Sequence, residues 1–209
     1  MKVAAVNGSP RPTGNSFKVI ETLATSLAAE GVETEILQVG SRSIRGCTGC
    51  GGCKKTFRCV LPDREFHELA GKVYAAEGLF IVAPVYYDSV PGQLKTFLDR
   101  LFYQDRSGGG LRHKVSAAAA VLRRTGGVAT LDDLNHYFLS SGMLIAPSVG
   151  ANLIYGQQPG EAERDLEGLD IMEKLGKNMA WLLKMLAATR ETVPPPSFVE
   201  RQYMNFIRD

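Results

Sequence analysis

Every cysteine of the chain falls within GCTGCGGCKKTFRC, Gly46 to Cys59, at Cys47, Cys50, Cys53 and Cys59. Three thiols at C-x2-C-x2-C spacing can converge from one tight loop, because the intervening glycines permit the sharp turns this requires. Cys59 closes the set after five further residues. Four thiolates of this kind hold iron–sulfur clusters, often with such a run of three, although here the fourth is local and is not followed directly by proline. Structural zinc sites usually draw C-x2-C pairs from separated segments. The spacing therefore points to a cluster ahead of zinc, with metal-free thiols as the other reading.

Three further stretches carry polar or aromatic groups suited to a ligand. GSPRPTGNS, Gly8 to Ser16, follows a short apolar run and precedes a helical pattern. A helix N-terminus offers unpaired amides and a positive dipole end, so it holds phosphate well. Ser9, Thr13, Asn15 and Ser16 add neutral donors there and Arg11 adds a charge. The loop is neither a P-loop, which needs a Lys followed by Ser or Thr, nor the three-glycine dinucleotide fingerprint. It suits a single terminal phosphate better than a pyrophosphate. In APVYYDSVPGQLKTFLDR, Pro84, Val85, Tyr86 and Tyr87 stand where the chain leaves a buried apolar run. Aromatic groups beside backbone amides can hold the edge and face of a flat heterocycle. Arg123-Arg124-Thr125-Gly126-Gly127 forms another turn able to approach a ring. Taken singly, each stretch also reads as ordinary structure: a capped helix, packing tyrosines, a solvated turn. No Ser-His-Asp set is apparent, and His67, His113 and His136 read as surface or packing residues.

These stretches need elements to position them. Val3 to Val6 reads as a strand, followed by a helix whose apolar residues recur from Phe17 to Leu27, with Thr13 or Asn15 as its N-cap. A strand at Thr34 to Val39, the cysteine loop and a helix carrying Phe66, Leu69, Ala70, Val73 and Tyr74 come next. Leu79 to Val82 is a continuous apolar run, the mark of a strand buried on both faces of a parallel sheet. A helix with Leu94, Phe97, Leu98 and Leu101 inward, a strand at Val115 to Leu122, a helix at Thr130 to Ser140 and a strand at Met143 to Ala146 follow. One long helix is expected from about Glu161 to Ala188, before Pro194-Pro195-Pro196 begins an extended tail. Five strands alternating with helices call for a doubly wound parallel α/β sheet, whose ligands bind beyond the carboxyl ends of the strands. The cysteine loop, following the second strand, is expected at that same end.

The 209 residues are read as one domain over 1–190 with a tail over 191–209. A 44% hydrophobic, 22% charged composition is that of an ordinary globular chain. The 24 basic and 22 acidic side chains nearly cancel and form no basic stripe, which argues against nucleic acid as a partner. No stretch approaches the roughly twenty apolar residues of a membrane span, and the five-residue opening run is too short for a signal peptide. A cytoplasmic location is the expectation, and in that reducing compartment a cysteine cluster points to metal or redox chemistry.

Together, GSPRPTGNS, APVYYDSVPGQLKTFLDR and RRTGG resemble the flavodoxin-like NADPH-dependent FMN reductase superfamily over roughly residues 1 to 186. The resemblance implies a sheet of order 2-1-3-4-5 with FMN as cofactor. Ser9, Arg11, Thr13, Asn15 and Ser16 would take the FMN phosphate, while Pro84, Val85, Tyr86, Tyr87 and Ser89, with Thr125, Gly126 and Gly127, would line the ring. A compact C-x2-C-x2-C-x5-C after the second strand is similar to that of the iron–sulfur flavoproteins of anaerobes, which carry one [4Fe-4S] cluster and one FMN per subunit. The implied function is an FMN-dependent oxidoreductase whose chemistry occurs on the flavin. Electrons would come from a ferredoxin-like donor or NAD(P)H and go to a small acceptor such as a quinone or an oxygen species. An NADPH-dependent FMN or quinone reductase without a cluster, and a flavodoxin-like carrier without turnover of its own, are the alternatives. Relatives assemble as dimers or tetramers, so the segment from Pro147 onward is expected to support a homodimer or homotetramer.

Overall fold

The computed structural model describes residues 1–197. The sequence-expected tail over 191–209 therefore lies mostly outside the described residues. Elements follow in the order β1 (Lys2–Asn7), α1 (Asn15–Ala29), β2 (Glu33–Gln38), α2 (Cys53–Thr56), α3 (Arg64–Ala75), β3 (Gly78–Pro84), α4 (Gly92–Gly108), β4 (Val115–Leu122), α5 (Gly127–Ser140), β5 (Leu144–Ile145), β6 (Leu153–Tyr155) and α6 (Leu166–Thr189). The strands are parallel, in the order β2-β1-β3-β4-β5, the doubly wound arrangement expected from the alternation.

Alternation along the central strands sends side chains into two cores. Ala4, Val6, Leu79, Ile81 and Ala83 meet α3, α4 and α5 through Phe66, Leu94, Phe97 and Phe138. Val3, Ala5, Phe80, Val82 and Val115 meet α1 and α6 through Ile20, Leu23, Met172 and Leu175. β1, β3 and β4 are covered on both faces, which is why they read as unbroken apolar runs. β2 is an edge strand, and there Glu35 pairs with Lys72 at 2.8 Å. Charge on an edge discourages a further strand from pairing with it.

Three features differ from the sequence expectations. The fifth sheet position holds two short strands: β5 pairs only with Val115 and Ser116 of β4, and β6 pairs with Ala120 to Leu122. A run of three residues carries too little periodicity to be read as a strand. The long last helix is broken, with a 3-10 turn at Glu161–Arg164. Asp165 then caps α6 by accepting from the Gly168 amide at 3.0 Å. Finally, neither Thr13 nor Asn15 caps α1; Gly14 is its N-cap and supplies no side-chain bond.

Candidate functional site

The loops after β1, β3 and β4 meet at the carboxyl end of the sheet. Asn7, fully buried at the end of β1, organises the first of them. Its Oδ1 accepts from the Ser9 amide at 3.1 Å, and its Nδ2 donates to Gln38 Oε1 at 2.8 Å. Gln38 in turn donates to the Ser9 carbonyl at 2.7 Å, and Ser9 Oγ accepts from the Arg11 amide at 3.1 Å. Gly40 crosses so closely that a Cβ there would lie 2.2 Å from the Gly8 carbonyl oxygen. Nothing in the sequence marks Asn7 and Gln38, which look like strand-end polar residues until the strands are paired.

The residues of this loop are unequally placed. Ser9 and Ser16 are buried, while Arg11 and Thr13 are exposed around them. The start of α1 has no side-chain cap, so its first amides are available to an anion. The Asn15 side chain points elsewhere. Its Oδ1 accepts from the Gly160 amide at 3.0 Å and its Nδ2 donates to the Gln158 carbonyl at 2.9 Å. Asn15 thus fastens the segment after β6 against the mouth of the first loop.

The second loop is a tight turn. Tyr86 and Ser89 exchange backbone bonds of 2.9 and 3.1 Å, with Tyr87 at φ 49° and Asp88 at φ 60° between them. Left-handed pairs of this kind are ordinarily Asn-Gly, and each non-glycine residue so held costs about 1–3 kcal/mol, strain that tends to collect at ligand clamps. Tyr87 stands wholly in solvent at 105% relative exposure and Tyr86 at 45%, so neither is core packing. Val85 donates its amide to Val121 at 2.8 Å, leaving Pro84 and Val85 at the strand end.

The third loop docks on the second. Thr125 Oγ1 donates to Asp88 Oδ1 at 3.3 Å. Gly126 has φ 81°, and a Cβ there would fall 2.6 Å from the Asp88 Cα and 2.9 Å from Val85 Cγ1. Gly127 then begins α5. The structure therefore brings Pro84, Val85, Tyr86, Tyr87, Ser89, Thr125, Gly126 and Gly127 together around one rim.

Beside this rim lies an open pocket of about 500 Å³ whose lining includes Arg123, Tyr155, Gln157 and Arg164. Its two acids are tied to backbone: Glu161 accepts from the Gln157 and Gln158 amides at 2.7 and 2.8 Å, and Asp165 accepts from the Tyr155 amide at 2.7 Å. The Gln158 and Gln157 amides hold the Glu161 carboxyl below its ordinary range. This wall depends on β6 and the 3-10 turn, which no sequence signal announced.

The cysteines line a separate pocket. Cys47, Cys50, Cys53 and Cys59 share it with Arg100, Tyr103 and Gln104 of α4. Their loop leaves β2 beside Gly8, as expected, but then runs down the outside of α4. Gly46 lies against Thr96, and Phe57 lies against Gly108. Cys59 donates its amide to Gln104 Oε1 at 2.7 Å. The thiols thus sit beside the middle of α4 rather than at the sheet edge. At 1.5 Å per residue, Arg100 is about 12 Å along the helix from its start at the tyrosine loop. Burial pushes the Cys53 thiol up, whereas the Gly52 amide draws the exposed Cys50 thiol down. Among the described residues no three His, Cys, Asp or Glu side chains are gathered closely enough for one metal ion. No helix of the described residues is long and apolar enough to cross a membrane.

The family described as NADPH-dependent FMN reductase matches residues 1–156. An iron–sulfur flavoprotein of Methanocaldococcus jannaschii is 33% identical over 193 residues, covering 89% of this chain and 99% of that protein. Among solved structures, RosB with a bound 8-demethyl-8-formylriboflavin-5'-phosphate superposes with a TM-score of 0.72 at 18% identity, over 99% of this chain and 92% of that one. A flavodoxin from the domain Archaea does so with a TM-score of 0.58 at 14% identity, over 88% and 99%. These two likenesses show a shared flavodoxin-like fold.

Proposed function

This chain belongs to the NADPH-dependent FMN reductase family, in its iron–sulfur flavoprotein branch, and is an FMN-dependent oxidoreductase; from that premise we propose that it moves electrons between a [4Fe-4S] cluster on Cys47, Cys50, Cys53 and Cys59 and FMN. The observation that carries the proposal is the pocket shared by all four thiols. Four thiolates drawn from one short loop are the ligand set of an iron–sulfur cluster, which spreads them over separate irons.

FMN accepts electrons in pairs or singly while a cluster passes them singly, so together they convert between one- and two-electron partners. The chain's own residues do the holding. The uncapped start of α1, with Ser9, Thr13, Ser16 and the Arg11 cation, suits the phosphate, and Asn15 contributes its backbone amide there while its side chain braces the adjoining loop. Pro84, Val85, Tyr86, Tyr87 and Ser89 suit one edge and face of the ring. Gly126 lets the third loop close onto Asp88 and Val85, Gly127 lets it close onto Leu122 and Leu153, and Thr125 ties the two loops together. A ferredoxin-like donor is supported by charge: Lys54, Lys55 and Arg58 lie in the cysteine loop and Arg45 just before it, with no acidic residue between Ser41 and Pro62. Exposed Phe57 and Val60 stand among them. Such a patch would steer an acidic carrier toward the thiols. The acceptor is a small molecule such as a quinone or an oxygen species. Exposed Trp181 and Met185 on α6 support assembly as a homodimer or homotetramer.

A second reading, direct reduction by NAD(P)H, is favoured by the pocket bearing Arg123 and Arg164, whose cations suit the phosphates of a dinucleotide. Anaerobic purification followed by iron, sulfide and flavin analysis separates the two. About four irons and one FMN per chain, as a four-thiolate site requires, is the expected result. Iron-free protein that still oxidises NADPH would overturn the cluster in favour of the plain reductase.

A further inference from the structure

Arg100 is the largest fully buried side chain among the described residues, and it faces the thiol pocket from α4. Its guanidinium is held on four sides. Nη1 meets Asp63 Oδ2 at 2.5 Å and donates to the Arg45 carbonyl at 3.1 Å. Nη2 donates to Cys59 Sγ at 3.5 Å. The flat face rests on the Phe66 ring at 3.8 Å. Asp63 is itself anchored, accepting from the Phe66 amide at 3.1 Å as the N-cap of α3.

Arg45 stands just before the first cysteine and Cys59 is the last, so a single cation joins both ends of the ligand-bearing loop. A buried cation is costly unless paired and hydrogen-bonded. Asp63 alone would satisfy the charge at this position. The donation to sulfur and the bond to the Arg45 carbonyl add contacts that serve the loop, and a planar fork provides them where an ammonium cannot. Hydrogen bonds to the sulfurs of a cluster, and charge near it, set its reduction potential. A cation that donates to a ligand sulfur favours the reduced, more negative state.

We propose that Arg100 is a positioning residue for the thiol pocket: it clamps the loop between Arg45 and Cys59, and through Cys59 it raises the reduction potential of the bound cluster and slows its loss. The proposal rests on the four-thiolate reading above. It concerns how the site is tuned rather than whether it binds iron.

The test uses the full chain, loaded anaerobically with iron and sulfide, and follows the cluster potential by EPR-monitored titration and iron release to a chelator. Arg100→Lys keeps a charge for Asp63 and loses the fork. Its midpoint is expected to fall by about 59 mV, a tenfold change in a one-electron equilibrium, with iron released several-fold faster. Phe66→Leu removes the ring beneath the guanidinium and should give a smaller change in the same direction; it decides the matter if Arg100→Lys does not fold. Leu23→Ala, in the core on the opposite face of the sheet, should lower thermal stability and leave potential and release unchanged. Wild-type potential and release in Arg100→Lys, or in Phe66→Leu where only that variant folds, would overturn the proposal. Equal changes in Leu23→Ala would overturn it too. A wild-type chain that binds no iron would instead refute the four-thiolate reading, and the tuning role with it.

Discussion

Replacing Gly126 by alanine tests whether the tyrosine loop and the Thr125-Gly126-Gly127 turn form one flavin rim. Two costs arise. Gly126 has φ 81°, and an L-residue held in the left-handed region loses about 1–2 kcal/mol. The new methyl would also stand 2.6 Å from the Asp88 Cα and 2.9 Å from Val85 Cγ1. Relief to ordinary contact requires the tyrosine loop to move, and overpacking of this kind costs a further 1–3 kcal/mol or so. Gly31 provides the control, since it has φ 75° with nothing within 4 Å of a Cβ. Gly31→Ala should show the backbone cost alone, a fall in Tm of about 2–4 °C per kcal/mol for a chain of this size. Gly126→Ala should show that fall and also weaken FMN binding by about 10- to 100-fold, a loss of 1.4–2.8 kcal/mol. Flavin fluorescence quenching on titration into the apoprotein measures the affinity, and thermal unfolding measures the stability. Wild-type FMN affinity in Gly126→Ala, or an equal loss in Gly31→Ala, would refute the idea that these two loops form the ring site.

Asn15→Ala removes the side chain that accepts from Gly160 and donates to Gln158; with those groups half exposed, a loss of about 1 kcal/mol is expected, together with faster proteolysis between 156 and 165, both absent if Asn15 only serves a phosphate. Asp63 pairs with a fully buried guanidinium, so Asp63→Asn should cost about 3–5 kcal/mol in urea unfolding at neutral pH. The Asp63 carboxyl lies below its ordinary value: burial opposes this, and the Phe66 amide and Arg100 outweigh it. Its contribution is therefore complete above the unfolded carboxyl range and fades as pH falls through the folded value, so variant and wild type should converge in acid; a gap that persists unchanged at pH 2 would refute the assignment. Lys54→Glu with Lys55→Glu should slow reduction by an acidic one-electron carrier by about tenfold at low salt and flatten its salt dependence. Unchanged stopped-flow rates would remove the loop as a docking surface.

Much of this architecture was legible in the residues because the signals are local. Leu79 to Val82 is apolar throughout since both faces of β3 are covered, and Val115 to Leu122 is buried at every position of β4. Helical spacing in α3 and α4 marked the faces that meet the sheet. The cysteine run, the hydroxyl-rich loop and the tyrosine turn could be recognised as chemistry from their types and spacing alone. What lay beyond sequence reading depends on partners far away in the chain. Asn15 looks like a cap or a phosphate donor until its side chain is found bonded 143 and 145 residues away. β6 has three residues and exists because β4 offers it an edge. The cysteine loop lies along α4 through contacts of the same long-range kind, among them those of Arg100 to Asp63, Arg45 and Cys59, 37 to 55 residues away. Periodicity and turn chemistry belong to neighbouring residues and survive in the sequence; the placement of a loop, and the charge that holds it, come from long-range contacts that only the folded chain brings together.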